Sequence, residues 1–236
     1  MATITEIETP IEVEEATDGE IVTLHDVDWG TYCQLREEES NNHVRMIYLD
    51  GTLTIMSPLY RHDGNSRRIY EVVTKVAQAW EINYMPIGTT TLRRGGRTPR
   101  KGTGKEPDEG FYLGDDEARV RHNDDINMAV DPPPTLAIEV ENLAKSAKVL
   151  LAYARIGVPE VWMHKARKRS LWFGQLEGER YVEVARSVAL PRLTPELVLQ
   201  ALDPRKGQGD RQWAGWLDAW ARALPETPLE NLPGRG

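Results

Sequence analysis

Two short acidic stretches of this chain carry residue types that could do chemistry: Lys105-Glu106-Pro107-Asp108-Glu109 and Leu136-Ala137-Ile138-Glu139-Val140-Glu141. Side chains alternate faces along a strand, so Leu136, Ile138 and Val140 share one face and Ala137, Glu139 and Glu141 the other. One reading is a half-buried strand with its polar face in water. The other is a strand covered on both faces, where a carboxylate needs a partner or a metal. In the first stretch Pro107 fixes its own φ and biases Glu106 toward an extended conformation, so Asp108 opens a strand. An Asp and a Glu on neighbouring strands can converge on one hard divalent cation. Mg2+ is bound by one or two carboxylates together with water and substrate phosphate. Such an ion can generate a nucleophilic water and offset charge on a phosphodiester.

The elements around these stretches must position them. Asp28 is a candidate N-cap for a short helix over 28–39. Two strand-like runs, 44–49 and 52–56, flank Asp50-Gly51, a dipeptide suited to a tight hairpin turn. Ile69, Val72, Val73, Val76 and Trp80 recur at helical spacing and predict a helix over about 63–82. Arg68, Glu71 and Lys75 occupy another face of it and suit ion pairing along the helix surface. Residues 83–94 read as extended and 115–134 as a polar loop stopped by three prolines. The strand 135–141 is followed by a helix ended at Gly157. Residues 158–164, 168–176 and 178–188 read as successive strands, and 210–224 as a helix. The step from the strand at 135–141 through a helix to 158–164 allows a parallel crossover in mid-sheet. The class is α/β, a mixed β-sheet core flanked by helices, with an N-terminal β-hairpin and a C-terminal helix.

Composition sets the limits. The chain has 236 residues, 40% of them hydrophobic, enough for a real core. No apolar run reaches the length of a membrane span, the N-terminus lacks the pattern of a signal peptide, and the single Cys33 excludes an internal disulfide. A reducing cytoplasm is the expected location. The net charge of −8 is concentrated in residues 1–20, which hold seven acids and no Lys or Arg, leaving 29 basic and 30 acidic residues in the rest. Charge clustering, not the sum, governs nucleic-acid binding. One cluster is Arg93, Arg94, Arg97, Arg100, Lys101 and Lys105, a basic segment without an acid that leads to Asp108. Read as a flexible loop, it suits contact with a DNA phosphate backbone, though an ordinary solvated loop has the same composition.

Pro107-Asp108, Ile138-Glu139-Val140, the helix after them and Gly157-Val158-Pro159-Glu160-Val161-Trp162, in this order, resemble the Uma2 family of the PD-(D/E)XK nuclease superfamily. The likeness runs from about Asp28 to Leu202 and includes the hairpin at 48–58. It implies a restriction-endonuclease-like core over 21–202, after an acidic disordered tail at 1–20 and before a Trp-rich helix and tail at 203–236. It also implies a divalent-metal-dependent endonuclease acting on DNA, with Asp108 and Glu139 as ligands of Mg2+ and Mn2+ as a substitute. The superfamily pattern has a lysine two residues after the glutamate, where this chain has Glu141. Many members of the family supply the lysine from the following helix, four residues before its Tyr, which here is Val149. Lys148 is one residue off and is preferred to Lys145, a turn earlier; Glu141 itself is the third candidate for acting on the water. A solvated helix flank is the plain reading of both lysines.

Glu106 is either a support for the ligands or part of a loop. His62 either contacts the site or stands exposed at a helix start. Trp213, Trp216 and Trp220 form a stripe with Leu217 and Leu224 that would cap the sheet or join a homodimer. The replaced lysine motivates an alternative function: an inactive nuclease-fold module that binds nucleic acid or a protein partner. A two-carboxylate glycosidase is a third reading, weakened by the absence of an aromatic-rich cleft near the acids.

Overall fold

A computed structural model of the chain describes residues 21–56, 60–123, 126–141, 146–203 and 209–224; the side chains of 60–63, 141 and 146 fall outside it. The acidic tail at 1–20 lies outside the described residues. The chain enters as strand β1 (Ile21–Leu24) and turns into helix α1 (Trp29–Glu37). The Asp28 carboxylate accepts from the Thr31 backbone N–H at 2.8 Å and caps that helix, as its composition predicts. Strands β2 (Arg45–Leu49) and β3 (Thr52–Met56) form the expected hairpin. Asp50 and Gly51 take φ of 45° and 89°, the left-handed values that a two-residue turn between twisted strands requires.

Helix α2 (Tyr60–Ala79) follows, then strands β4 (Tyr84–Pro86), β5 (Leu92–Gly95), β6 (Gly102–Lys105) and β7 (Glu109–Leu113). After helix α3 (Asp115–Val120) come β8 (Leu136–Glu141), helix α4 (Ser146–Ile156), β9 (Glu160–Lys165), β10 (Ser170–Glu177) and β11 (Arg180–Glu183). Helices α5 (Pro195–Ala201) and α6 (Asp210–Ala223) close the described chain. The strands make two sheets, in the orders β1-β3-β2-β6-β5 and β11-β10-β9-β8-β7-β4. In the second sheet β8 and β9 run parallel, with α4 as the predicted crossover.

Three local expectations are corrected. The extended stretch 83–94 splits between the sheets, β4 to the second and β5 to the first. The basic segment 93–105 is a hairpin, with Arg93 opposite Gly104 and Arg94 opposite Thr103. Glycines hid this strand, because side-chain propensity says nothing where there is no side chain. They are needed: a Cβ at Gly102 would collide with the Trp29 ring and one at Gly104 with the Tyr32 phenol. The polar stretch after β7 contains α3, whose first turn holds Asp115, Asp116 and Glu117, acids that suit the positive end of a helix.

The two faces of the second sheet bury different partners. Leu136, Ile138, Val140, Phe111 and Trp162 lie under α2, α5 and α6. Ile69, Val72, Val73 and Val76 of α2 are fully buried there, each worth about 1.5–3 kcal/mol. A charge placed at Val73 would break this layer. The opposite face, with Ala137, Val161 and Met163, packs against Val149, Ala152, Tyr153 and Ile156 of α4 and reaches Ile47 and Leu92 of the first sheet. Both faces of β8 are covered, which decides between the two readings of its alternation.

The tryptophan stripe packs within the chain. Trp213, Leu217 and Leu224 are buried in the α2 layer, and the Trp213 indole N–H donates to the Ala201 carbonyl at 2.8 Å. Arg68 and Lys75 do not pair along α2 with Glu71; they reach Asp210 at 3.5 Å and Asp218 at 3.3 Å on α6. The helix–helix interface offered them acids that sequence spacing could not show.

Candidate active site

Strands β7 and β8 run antiparallel with Glu109 opposite Ile138 and Gly110 opposite Ala137. Continuing that register by one residue brings Asp108 across from Glu139. The Asp108 Oδ2 accepts from the Val140 backbone N–H at 2.8 Å. Pro107 is buried behind Asp108, which remains partly exposed. Glu139 is 6% exposed and points to the α4 face, as the alternation of its strand requires.

Two groups hold Glu139. The Lys105 ammonium, at the end of β6, donates to Glu139 Oε1 at 2.9 Å. It also donates to the Glu106 carbonyl. The Tyr153 hydroxyl, from α4, donates to the same Glu139 oxygen, and the Lys105 ammonium stands 5.6 Å from the centre of the Tyr153 ring. Burial pushes the Glu139 carboxyl up to about 7; Asp108 pushes the same way, and Lys105 and the Tyr153 hydrogen bond oppose it. Burial and the neighbouring carboxylate raise the Tyr153 phenol well above its ordinary value, so it stays a proton donor. Lys105 is 4% exposed. A buried ion pair of this kind recovers its desolvation cost only with supporting hydrogen bonds. Glu106 O and Tyr153 supply them.

The other candidates fall in different places. Lys148 is exposed on α4, away from the buried side formed by Val149, Ala152 and Tyr153. The helix thus contributes its tyrosine to the site and turns Lys148 to solvent. Lys145 and the side chains of Glu141 and His62 lie outside the described residues. Glu106 is buried and bound by the Arg36 guanidinium at 3.0 Å and the Thr91 hydroxyl at 2.8 Å, with Arg45 at 3.9 Å. Its side chain binds the arginines, while its backbone carbonyl accepts from Lys105.

Of the basic segment, only Lys105 reaches the site. Arg93 pairs with Glu37 at 2.9 Å, Arg100 with Asp26 at 3.2 Å and Lys101 with Asp50 at 3.1 Å, while Arg94 donates to the Arg155 carbonyl at 3.3 Å. Arg97 is exposed at the hairpin turn. The signal for Lys105 was present but faint: it shares a face with Thr103 on a strand whose other positions are glycine.

The donor set suits a cation that keeps most of its water. Among the described residues no group of three or more His, Cys, Asp or Glu could form a cage. Two hard oxygen donors on neighbouring strands, one of them partly exposed, fit a hard divalent cation.

A family described as Uma2, "Putative restriction endonuclease", matches residues 29–204. No curated protein matches the chain. Among solved structures, a putative nuclease belonging to DUF820 from Anabaena variabilis ATCC 29413 is similar, with a TM-score of 0.46 and 14% identity. The likeness covers 83% of this chain and 99% of that one.

Proposed function

Because the chain belongs to the Uma2 family, we propose that it is a divalent-metal-dependent endonuclease that hydrolyses DNA phosphodiester bonds. The observation that carries this reading is the buried lysine: Lys105 stands 2.9 Å from Glu139 Oε1, beside Asp108, although Glu141 occupies the place where the resemblance puts a lysine. The charge would come from the other sheet, which supports an active site despite the departure at 141.

Asp108 and Glu139 would hold Mg2+, with Mn2+ as a substitute. When bound, that ion supplies Lewis-acid stabilisation and a water more acidic than bulk. The rest of the chemistry belongs to the chain. Val140 N–H fixes Asp108 through Oδ2, and Lys105 and Tyr153 both hold Glu139 through Oε1. An ammonium has three N–H groups, and two of those of Lys105 are committed to Glu139 and Glu106. The third is left to orient an attacking water or to meet a phosphate oxygen. In a water-poor site a fixed cation stabilises developing negative charge far better than it would in bulk water.

The test is cleavage of supercoiled, linear and single-stranded DNA by the purified chain with Mg2+ or Mn2+. Cleavage by the wild type, lost in Asp108→Ala and Glu139→Ala and strongly reduced in Lys105→Met, is the expected result. No cleavage of any form with either metal sinks the reading. DNA binding without cleavage would instead mark the chain as a binding module.

A further inference from the structure

An open cavity of about 340 Å3 is walled by Arg36, Arg45, Thr89, Thr90, Thr91 and Glu106. It adjoins the carboxylate pair through Glu106, whose side chain lines it and whose carbonyl accepts from Lys105. Its charged lining is two guanidinium groups against one carboxylate, a net positive charge. The partners are unequally committed. Arg36 is held by three partners: Nη1 donates to the Val44 carbonyl at 3.0 Å and meets Glu106 at 3.0 Å, and Nη2 donates to Asn42 at 3.2 Å. The Thr91 hydroxyl donates to Glu106 and the Thr90 hydroxyl to the Ile87 carbonyl. Arg45 differs. Its ion pair with Glu106 is 3.9 Å long, beyond hydrogen-bond length, and its side chain is 23% exposed. Its planar fork suits a phosphate.

We infer that this cavity binds a second phosphate of the DNA strand, close along the backbone to the one cleaved, and that Arg45 is the residue that grips it. Arg36, Glu106 and Thr91 form the frame that shapes the cavity around Arg45. Glu106 and Asp108 are two residues apart in the chain, at most about 7 Å between their Cα atoms, a distance of the order of one step between neighbouring phosphates of a strand. A strand with its scissile phosphate at Asp108 therefore passes the cavity at a neighbouring phosphate. The inference rests on the endonuclease reading and names a contact that reading does not require.

Binding of a short duplex to the full chain, measured without divalent ion by fluorescence anisotropy between about 50 and 200 mM salt, tests it. Loss of one phosphate contact makes the plot of log K against log salt shallower by about 0.9. Arg45→Gln is expected to show that change on every duplex sequence tried, and Arg45→Lys, which keeps the charge, to restore most of the slope. Thr89 is exposed at the rim, so Thr89→Glu tests the cavity without touching its frame; its carboxylate is expected to weaken binding. A wild-type slope in Arg45→Gln overturns the inference and leaves the endonuclease reading standing. If Arg45→Gln does not fold, wild-type affinity in Thr89→Glu overturns it. A wild type that binds no duplex at any of these salt concentrations overturns the inference, and the cleavage assay with Mg2+ or Mn2+ decides the endonuclease reading separately.

Discussion

Glu139 and Glu160 are both buried carboxylates, 6% and 1% exposed, on adjacent parallel strands. They face opposite sides of one sheet and live in different chemistry. Glu160 points into the α5 and α6 side and is satisfied by neutral donors: Trp162 Nε1 at 2.6 Å, Val188 N–H at 2.8 Å and Ala189 N–H at 2.7 Å. Both of its oxygens are used, and those bonds pull against the rise that burial imposes on its carboxyl. It ties the segment before α5 to β9. Glu139 is held through one oxygen by a cation and a phenol, beside a second carboxylate that is partly open to solvent. Burial alone therefore does not mark function. The proposed mark is a buried carboxylate with a charged partner and a second acid at the edge of water.

The comparison breaks if the two residues respond alike. Asp108→Ala, which removes the open member of the pair, is expected to abolish detectable cleavage in a metal-dependent plasmid assay while the circular dichroism spectrum stays that of the wild type. Lys105→Met should lower kcat by about 10²–10³-fold, the usual loss when one fixed electrostatic partner of a transition state is removed; a rate within a few-fold of wild type would make Lys105 a purely structural residue. Glu160→Ala reverses the pattern. It strands two backbone N–H groups and an indole, each costing about 1–3 kcal/mol, so thermal unfolding should fall by roughly 10 °C while cleavage per folded molecule persists at low temperature. Tyr153→Phe removes one hydrogen bond to the pair and is expected to cost about 10–100-fold in activity or metal affinity, the range typical of groups that orient ligands. Calorimetric titration of Mn2+ separates the two effects. Lys148→Ala comes last: an exposed helix lysine should change cleavage less than twofold, and a large loss would return the lysine to α4.

Where local rules decide structure, the residues announced it. Asp28 caps α1 because a carboxylate there meets the Thr31 N–H whatever lies around it. Asp50-Gly51 turns the hairpin because few other pairs tolerate two positive φ values. The period of Ile69, Val72, Val73 and Val76 showed the buried face of α2. The basic hairpin looks like a loop in sequence because its second strand is half glycine, and the reason for glycine, the press of Trp29 and Tyr32, lies in α1. Lys105 is indistinguishable in sequence from the surface arginines, because charge and position in a basic run look alike whether a side chain is solvated or buried.

The residues alone place Glu139 on the face of its strand shared with Ala137, and put the start of a strand next to Pro107-Asp108, which the fold begins one residue later, at Glu109. Those facts follow from the pleat and from the proline ring, which act within a few residues. Which cation joins them depends on long-range packing. Lys105 and Glu139 are 34 residues apart and belong to different sheets. Their meeting depends on β6 pairing with β2 and on α4 packing between the sheets with Tyr153 turned inward. A salt bridge made by packing two sheets leaves no periodic trace along the chain.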